Sequence, residues 1–351
     1  MADTDILFGR RGAAGIVTLN RPRALNAVTH EMVLRLRAQL GTWAGDDAVT
    51  RVVVVAEGGR AFSAGGDIRA LYDLGQAGKR EEALQFWRDE YPLNVAIKNY
   101  RKPYISLIDG IVMGGGVGIS VNGSHRVAGD TFQFAMPEVG IGFFPDVGAT
   151  WFLPRLPGEL GTYCALTGER LNAGEGTNAG LATHRVSSAR FAELLDGLCG
   201  TVSVDAVLNA FAEPAGEGPS WARRAAIDRL FMGDRVEDIL GALDREASAG
   251  GRDGEWAAKT AATIRTKSPL SLKIALAQVR HGGDWDFETC MRTEFRIVSR
   301  IIEGHDFYEG VRAVIVDKDN KPRWSPAALA DVSDADVARH FAPLASELAL
   351  P

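Results

Sequence analysis

Three cysteines in 351 residues, Cys164, Cys199 and Cys290, stand too far apart to suggest a disulfide framework or a metal cluster. They read as buried, reduced thiols, and no metal site is expected. No apolar run reaches the roughly 20 residues that span a bilayer. No basic run stands out against a formal net charge of −6, so nucleic acid and membrane are not expected partners. The opening MADTDILFGRRG lacks a basic start followed by an apolar run, which argues against a secretory signal, and the Ala-, Gly- and Arg-rich composition fits a cytoplasmic protein.

Several motifs are missing as well. The dinucleotide pattern G-x-G-x-x-G, read from Gly114, needs glycine where Ile119 stands. There is no G-K-[ST], and no G-x-S-x-G accompanies the six scattered histidines. His30-Glu31 begins a zinc signature that Leu34 breaks. Nucleotide cradles, serine-hydrolase elbows and zinc peptidases are thereby excluded.

What the chain has in quantity is glycine: 40 residues, many in short runs after apolar segments, where the backbone turns tightly between packed elements. Gly15–Asn20, the β-branched run Arg51–Ala56 and Tyr104–Asp109 read as strands. Glycine turns and helices follow the second and third of them. Thr29 is placed to cap a helix through Trp43, and Arg80–Tyr100 is a helical segment interrupted by Pro92. Beyond Tyr104–Asp109 the expected order is a glycine turn, a short helix, a β-hairpin and a loop. After Arg170 the pattern becomes mainly helical. A domain change is placed near residue 190, between an α/β part (1–190) and a helical part (191–351).

Two glycine loops, Ala64–Asp67 and Met113–Ser120, carry chemistry in one reading and packing in another. Each sits between a strand and a helix start, where unpaired N–H groups and the helix dipole favour an oxyanion. Glycines that let a helix lie close to a sheet explain the second run equally well. Asp67 reads as an N-cap. Glu138 and Asp146 lie in AMPEVGIGFFPDVGAT: loop-end solvation and N-capping are their ordinary explanations, and the surrounding Phe132, Phe134, Phe143 and Phe144 favour a desolvated acid or base. Glu90 reads by default as a solvated helix face.

Taken together, NRPRALNA (20–27), AFSAGGDI (61–68), DGIVMGGGVGIS (109–120) and AMPEVGIGFFPDVGATWFLPRL (135–156) resemble the crotonase (enoyl-CoA hydratase/isomerase) superfamily. FPDVG (144–148), LTGERL (166–171) and GHDFYEGVRAVIVDKD (304–319) are most similar to its branch of thioester hydrolases acting on 3-hydroxyisobutyryl-CoA in valine breakdown. The resemblance implies an α/β fold, a spiral of ββα turns followed by a helical C-terminal region that often mediates trimer formation. It also implies an acyl-CoA substrate with no separate cofactor. It assigns the oxyanion amides to Gly66 and Gly115, the catalytic carboxyls to Glu138 and Asp146, and a substrate contact to Glu90. Ala64, Asp67 and Ile68 would lie near the adenine, and Arg23 or its neighbours near the CoA phosphates. One departure matters. Typical hydratases place a second catalytic glutamate three residues after the middle glycine of the GGG run, and here that position is Gly118. Thioester hydrolysis is therefore the expected reaction. Hydration or isomerisation of an enoyl-CoA is the alternative, and a non-catalytic acyl-CoA-binding protein is the third reading.

Overall fold

The structure is a computed structural model that describes residues 4–351. Two sheets organise its first half. The larger contains β1 (Ile6–Arg11), β2 (Ala14–Leu19), β3 (Arg51–Ala56), β5 (Tyr104–Ile108), β7 (His125–Ala128) and β10 (His184–Arg185), in the order β1-β2-β3-β5-β7-β10. Only the β1–β2 pair is antiparallel. The smaller runs β4 (Ala61–Ser63), β6 (Ile111–Met113), β8 (Gln133–Ala135), β9 (Leu171–Asn172), with β4, β6 and β8 parallel.

Each turn of the chain lays one strand in the large sheet, the next in the small sheet, and then a helical segment. β3 and β4 lead to α2 (Ile68–Gln76), β5 and β6 to α4 (Gly115–Gly118), and β7 and β8 to a single 3-10 turn, Glu138–Ile141. The fold is the α/β spiral of ββα turns expected from the sequence. The short strands β4 and β6 lead directly into the two glycine loops.

Two sequence expectations need correction. The β-hairpin does not form: β7 pairs in parallel with β5, and β8 in parallel with β6, in different sheets. The corner between them is pinned by Asp109, whose Oδ1 accepts from the Thr131 amide (2.9 Å) and hydroxyl (2.7 Å), so the chain is turned across to the second sheet. Nor does Pro92 interrupt its helix. α3 (Arg80–Lys98) runs through it, because one lost backbone hydrogen bond is offset by the burial of Phe86, Trp87, Tyr91, Leu93 and Val95 around it. Elsewhere the reading is close. α1 (His30–Ala44) starts where Thr29 accepts from the Met32 amide at 3.2 Å.

After α5 (Ala149–Phe152), α6 (Leu160–Thr167) and α7 (Ala173–Asn178) come α8 (Phe191–Cys199) and α9 (Val204–Phe211). These last two cover one face of the large sheet, packing Leu194, Leu198 and Leu208 on Val53, Ile105 and Val127. Two short helices come next, α10 (Pro219–Ala222) and α11 (Arg224–Leu230). Then follow α12 (Val236–Ala249), α13 (Gly254–Arg265), α14 (Pro269–Gly282), α15 (Phe287–Ile301), α16 (Asp306–Val311), a π turn (Arg312–Val316) and α17 (Asp334–Phe341). A single apolar cluster joins Trp87, Phe134, Phe143 and Phe144 of the first half to Phe295 and Phe307 of the second. The late helices thus close directly over the loops that leave the small sheet.

Candidate active site

Because β4 and β6 are parallel neighbours, the loops that leave their carboxyl ends lie side by side. A methyl group on Gly115 would sit 3.2 Å from the Gly66 amide nitrogen and 2.9 Å from Oε1 of Glu90, so only glycine leaves this spot open. Gly115 opens α4, and Gly66 precedes Asp67, which caps α2 by accepting from the Ala70 amide at 3.3 Å. Neither the Gly66 nor the Gly115 amide donates to an acceptor among the described residues. Two free N–H groups on touching loops form a candidate oxyanion site.

The third strand of the row, β8, delivers Glu138. A methyl group on Gly114 would meet its Oε1 at 3.2 Å, while its Oε2 is buried with no partner among the described residues. Glu90 and Asp146 complete the wall. All three line one cavity of about 650 Å³ together with Gly66, Gly115, Trp87 and Phe143. Glu90 is 1 % exposed, and its Oε1 also lacks a partner. Asp146 Oδ2 accepts the Tyr91 hydroxyl at 3.0 Å. Behind Asp146, Glu294 of α15 accepts from the amides of Gly148 and Thr150, both at 2.9 Å.

Burial dominates the electrostatics of these acids. It holds Glu138 well above the usual carboxylate range, with the Asp146 charge acting the same way. Glu90 is raised strongly by burial and then by Asp146 and Glu294. Asp146 is pushed up to about 7 by burial, against the opposing pull of the Tyr91 hydrogen bond, and Glu294 to about 8 by burial and then Asp146. Such crowded acids lose protons one at a time as pH rises.

The ordinary readings of these carboxyls do not hold. Glu90 is not on a solvated helix face, because α3 turns that side into the cavity. Glu138 is buried rather than at a solvated loop end, and Asp146 does not cap α5, whose N-cap is Gly148. Of the residues expected around the CoA moiety, Ala64, Asp67 and Ile68 line the cavity. Arg23 is exposed on the neighbouring 3-10 turn and does not line it, whereas Arg21 does, paired with Asp67 at 2.9 Å. Lys267 also reaches the cavity, its pKa lowered by burial. Sequence reasoning missed Lys267, Tyr91 and Glu294. Tyr91 had a signal, being one residue from Glu90, whereas Glu294 sits in a helix that the sequence reading did not single out.

Gly118, the departure from the hydratase pattern, is sterically closed. A methyl group there would lie 2.8 Å from Asn94 Nδ2 and 2.8 Å from Val147 Cβ. Val147 adopts φ 54°, a left-handed conformation costly for a β-branched residue, of order 1–3 kcal/mol. Asn122 holds it there, donating from Nδ2 to the carbonyls of Gly118 and Val147, both at 3.0 Å.

Residues 14–341 match the family described as "Enoyl-CoA hydratase/isomerase", and the chain belongs to it. It is similar to the protein named "3-hydroxyisobutyryl-CoA hydrolase, mitochondrial" of Danio rerio (43 % identical, covering 98 % of this chain and 91 % of the relative). The protein of that name from Homo sapiens is 40 % identical over 98 % of this chain and 90 % of its own. Among solved structures, a carnitinyl-CoA dehydratase from Mycobacterium thermoresistibile matches with TM-score 0.93 and 41 % identity over 99 % of each chain. An enoyl-CoA hydratase from Rhodobacter sphaeroides matches with TM-score 0.91 and 38 % identity, over 99 % of this chain and 100 % of that one.

Proposed function

We propose that the chain hydrolyses the thioester of a short β-hydroxyacyl-CoA, 3-hydroxyisobutyryl-CoA, to the free acid and CoA, a reaction of valine breakdown. The observation that carries it is the pairing of a closed Gly118 with a buried Asp146. Water addition across C=C uses two acid–base carboxyls, and the position that supplies one of them in hydratases is here a glycine with no room for a side chain. The second carboxyl has moved to the Asp146 loop. The names of the relatives from Danio rerio and Homo sapiens support hydrolysis. Those of the two solved structures favour the alternative, enoyl-CoA hydration, so the enzyme itself must be tested against both substrates.

In this reading the acyl carbonyl oxygen accepts from the Gly66 and Gly115 amides, which bind it more strongly as it becomes an oxyanion. Glu138 drives attack on the carbonyl carbon, directly or through a water molecule, and a single turnover in ¹⁸O-water separates the two routes. Asp146 orients the substrate hydroxyl or the water, and Glu90 lies against the acyl end. Arg21, Arg69 and Lys267 are the cations that line the cavity and are available to the CoA phosphates, with Ala64, Asp67 and Ile68 toward the adenine. The chemistry calls for no cofactor beyond the CoA of the substrate. A homo-oligomer assembled through the helical C-terminal region belongs to the same proposal, and sedimentation checks it. Among the described residues no helix is long and apolar enough to cross a membrane. The two named relatives are mitochondrial by name, whereas a cytoplasmic location for this chain rests on its composition and is checked by cell fractionation.

The deciding experiment follows free thiol released from 3-hydroxyisobutyryl-CoA by purified protein, beside crotonyl-CoA absorbance. Thiol release that falls in Glu138→Gln and Asp146→Asn supports the reading. Loss of crotonyl-CoA absorbance without thiol would replace it with hydration, and tight CoA binding without turnover of either would leave a binding protein.

A further inference from the structure

We propose that Glu294 is a positioning residue of this hydrolysis: reaching in from α15, its carboxylate locks the left-handed turn after Asp146 and thereby sets the Asp146 carboxyl in the cavity. The inference rests on the reading of Asp146 as a participant in hydrolysis.

The turn is under strain and needs holding. Val147 and Gly148 have φ of 54° and 99°, and α5, which begins immediately after them, receives no cap from its own first residues. Glu294 supplies that cap from 144 positions away, taking the Thr150 amide on Oε1 and the Gly148 amide on Oε2. Its acceptors are thus spent on the backbone of this one turn. The neighbouring peptide groups are held by other remote side chains. Gln278 of α14 donates to the Pro145 carbonyl at 3.0 Å and to the Thr150 hydroxyl at 2.7 Å, and Asn122 donates to the Val147 carbonyl. Between these anchors stands Asp146, whose carboxyl is fixed from the other side by Tyr91.

Space-filling alone does not account for Glu294. It is 0 % exposed, and the charges that act on it or with it are acidic: Asp146 from the loop and Glu90 from α3, with the Tyr91 hydroxyl and the Cys290 thiol alongside. An uncompensated acid in that setting is costly, and an apolar side chain of the same length would fill the volume at less cost. What an apolar side chain cannot do is accept two amides at once. Glutamine cannot either, because one of its two ends presents N–H to N–H.

The test compares Glu294→Gln with the parent, by thiol release and by hydrogen exchange of residues 143–152, at a temperature where both are folded. Expected are a fall of about 30–100-fold in kcat with KM within about threefold, as for a misplaced reacting group, and faster exchange of the Gly148 and Thr150 amides. In the Asp146→Asn background, Glu294→Gln should cost less than about threefold more, because its effect passes through Asp146. A merely structural residue would lower the melting temperature and slow both backgrounds alike. Equal losses in both backgrounds, a kcat within threefold of the parent, or unchanged exchange would each overturn the inference. If Glu294→Gln does not fold, Glu294→Asp, which keeps the carboxyl group but withdraws it by one methylene, takes its place in the same comparison. Should the parent release no thiol, or Asp146→Asn match it, the hydrolase reading is what fails, and the exchange rates alone decide whether Glu294 holds the turn.

Discussion

The two walls of the cavity are built in opposite ways. The candidate oxyanion wall is backbone: two amides, Gly66 and Gly115, brought together by the pairing of β4 with β6 and kept clear by the absence of Cβ atoms. The carboxyl wall is side chain: Glu90, Glu138 and Asp146, drawn from a helix, a 3-10 turn and a strained loop, and steadied by Tyr91, Asn122, Gln278 and Glu294. A backbone wall follows from the register of neighbouring strands and needs little support. A side-chain wall must be clamped group by group, and two of its clamps come from α14 and α15.

Breaking each wall at its centre should give unequal losses. On the side-chain wall, Glu138→Gln removes the group proposed to drive attack, and kcat for thiol release is expected to fall about 10³–10⁴-fold with the volume of the site kept. On the backbone wall, Gly115→Ala places a methyl 2.9 Å from Glu90 Oε1 and crowds the oxyanion. A loss of about 10²–10³ in kcat is expected, with CoA binding by calorimetry little altered.

The walls also differ in their response to pH. Amides do not titrate in this range, but folding raises Asp146 from 3.8 to about 7 and Glu294 from 4.5 to about 8. The folded state therefore binds more protons than the unfolded chain. The stability tied to these groups is complete below pH about 4 and is lost as pH rises through 7–8. Asp146→Asn removes one of them, so the variant should gain about 2–4 kcal/mol on the parent between pH 4 and pH 8 in urea unfolding, while losing activity. No gain at pH 8 would mean that Asp146 is not desolvated. The smallest effect is expected at the cavity rim. Lys267→Ala should raise KM about five- to tenfold, less at high salt, with kcat unchanged.

The same contrast explains what the sequence made legible. Runs such as Arg51–Ala56 and the glycine loops after it announce strands and tight turns locally, and the family resemblance then singled out Gly66 and Gly115 within those loops. The exposure of Glu90 could not be inferred. Its neighbours Asp89 and Tyr91 are compatible with either face of α3, and only the packing of α1, α2 and α15 around that helix decides which side is buried. The hairpin expectation failed for a similar reason, since Asp109, 22 residues before Thr131, redirects the chain. Glu294 acts across 144 positions or more, a separation at which spacing in one sequence carries no information.

The filled space at Gly118 has an evolutionary consequence. A lone replacement of Gly118 by glutamate would drive its side chain into Val147 and Asn94, so a two-glutamate site is not reached by that one substitution without damage to the fold. Such a site requires the Asp146 loop to be rebuilt at the same time. Point mutation at this position alone is therefore closed, and any route to a side chain there runs through residues 142–148 as well.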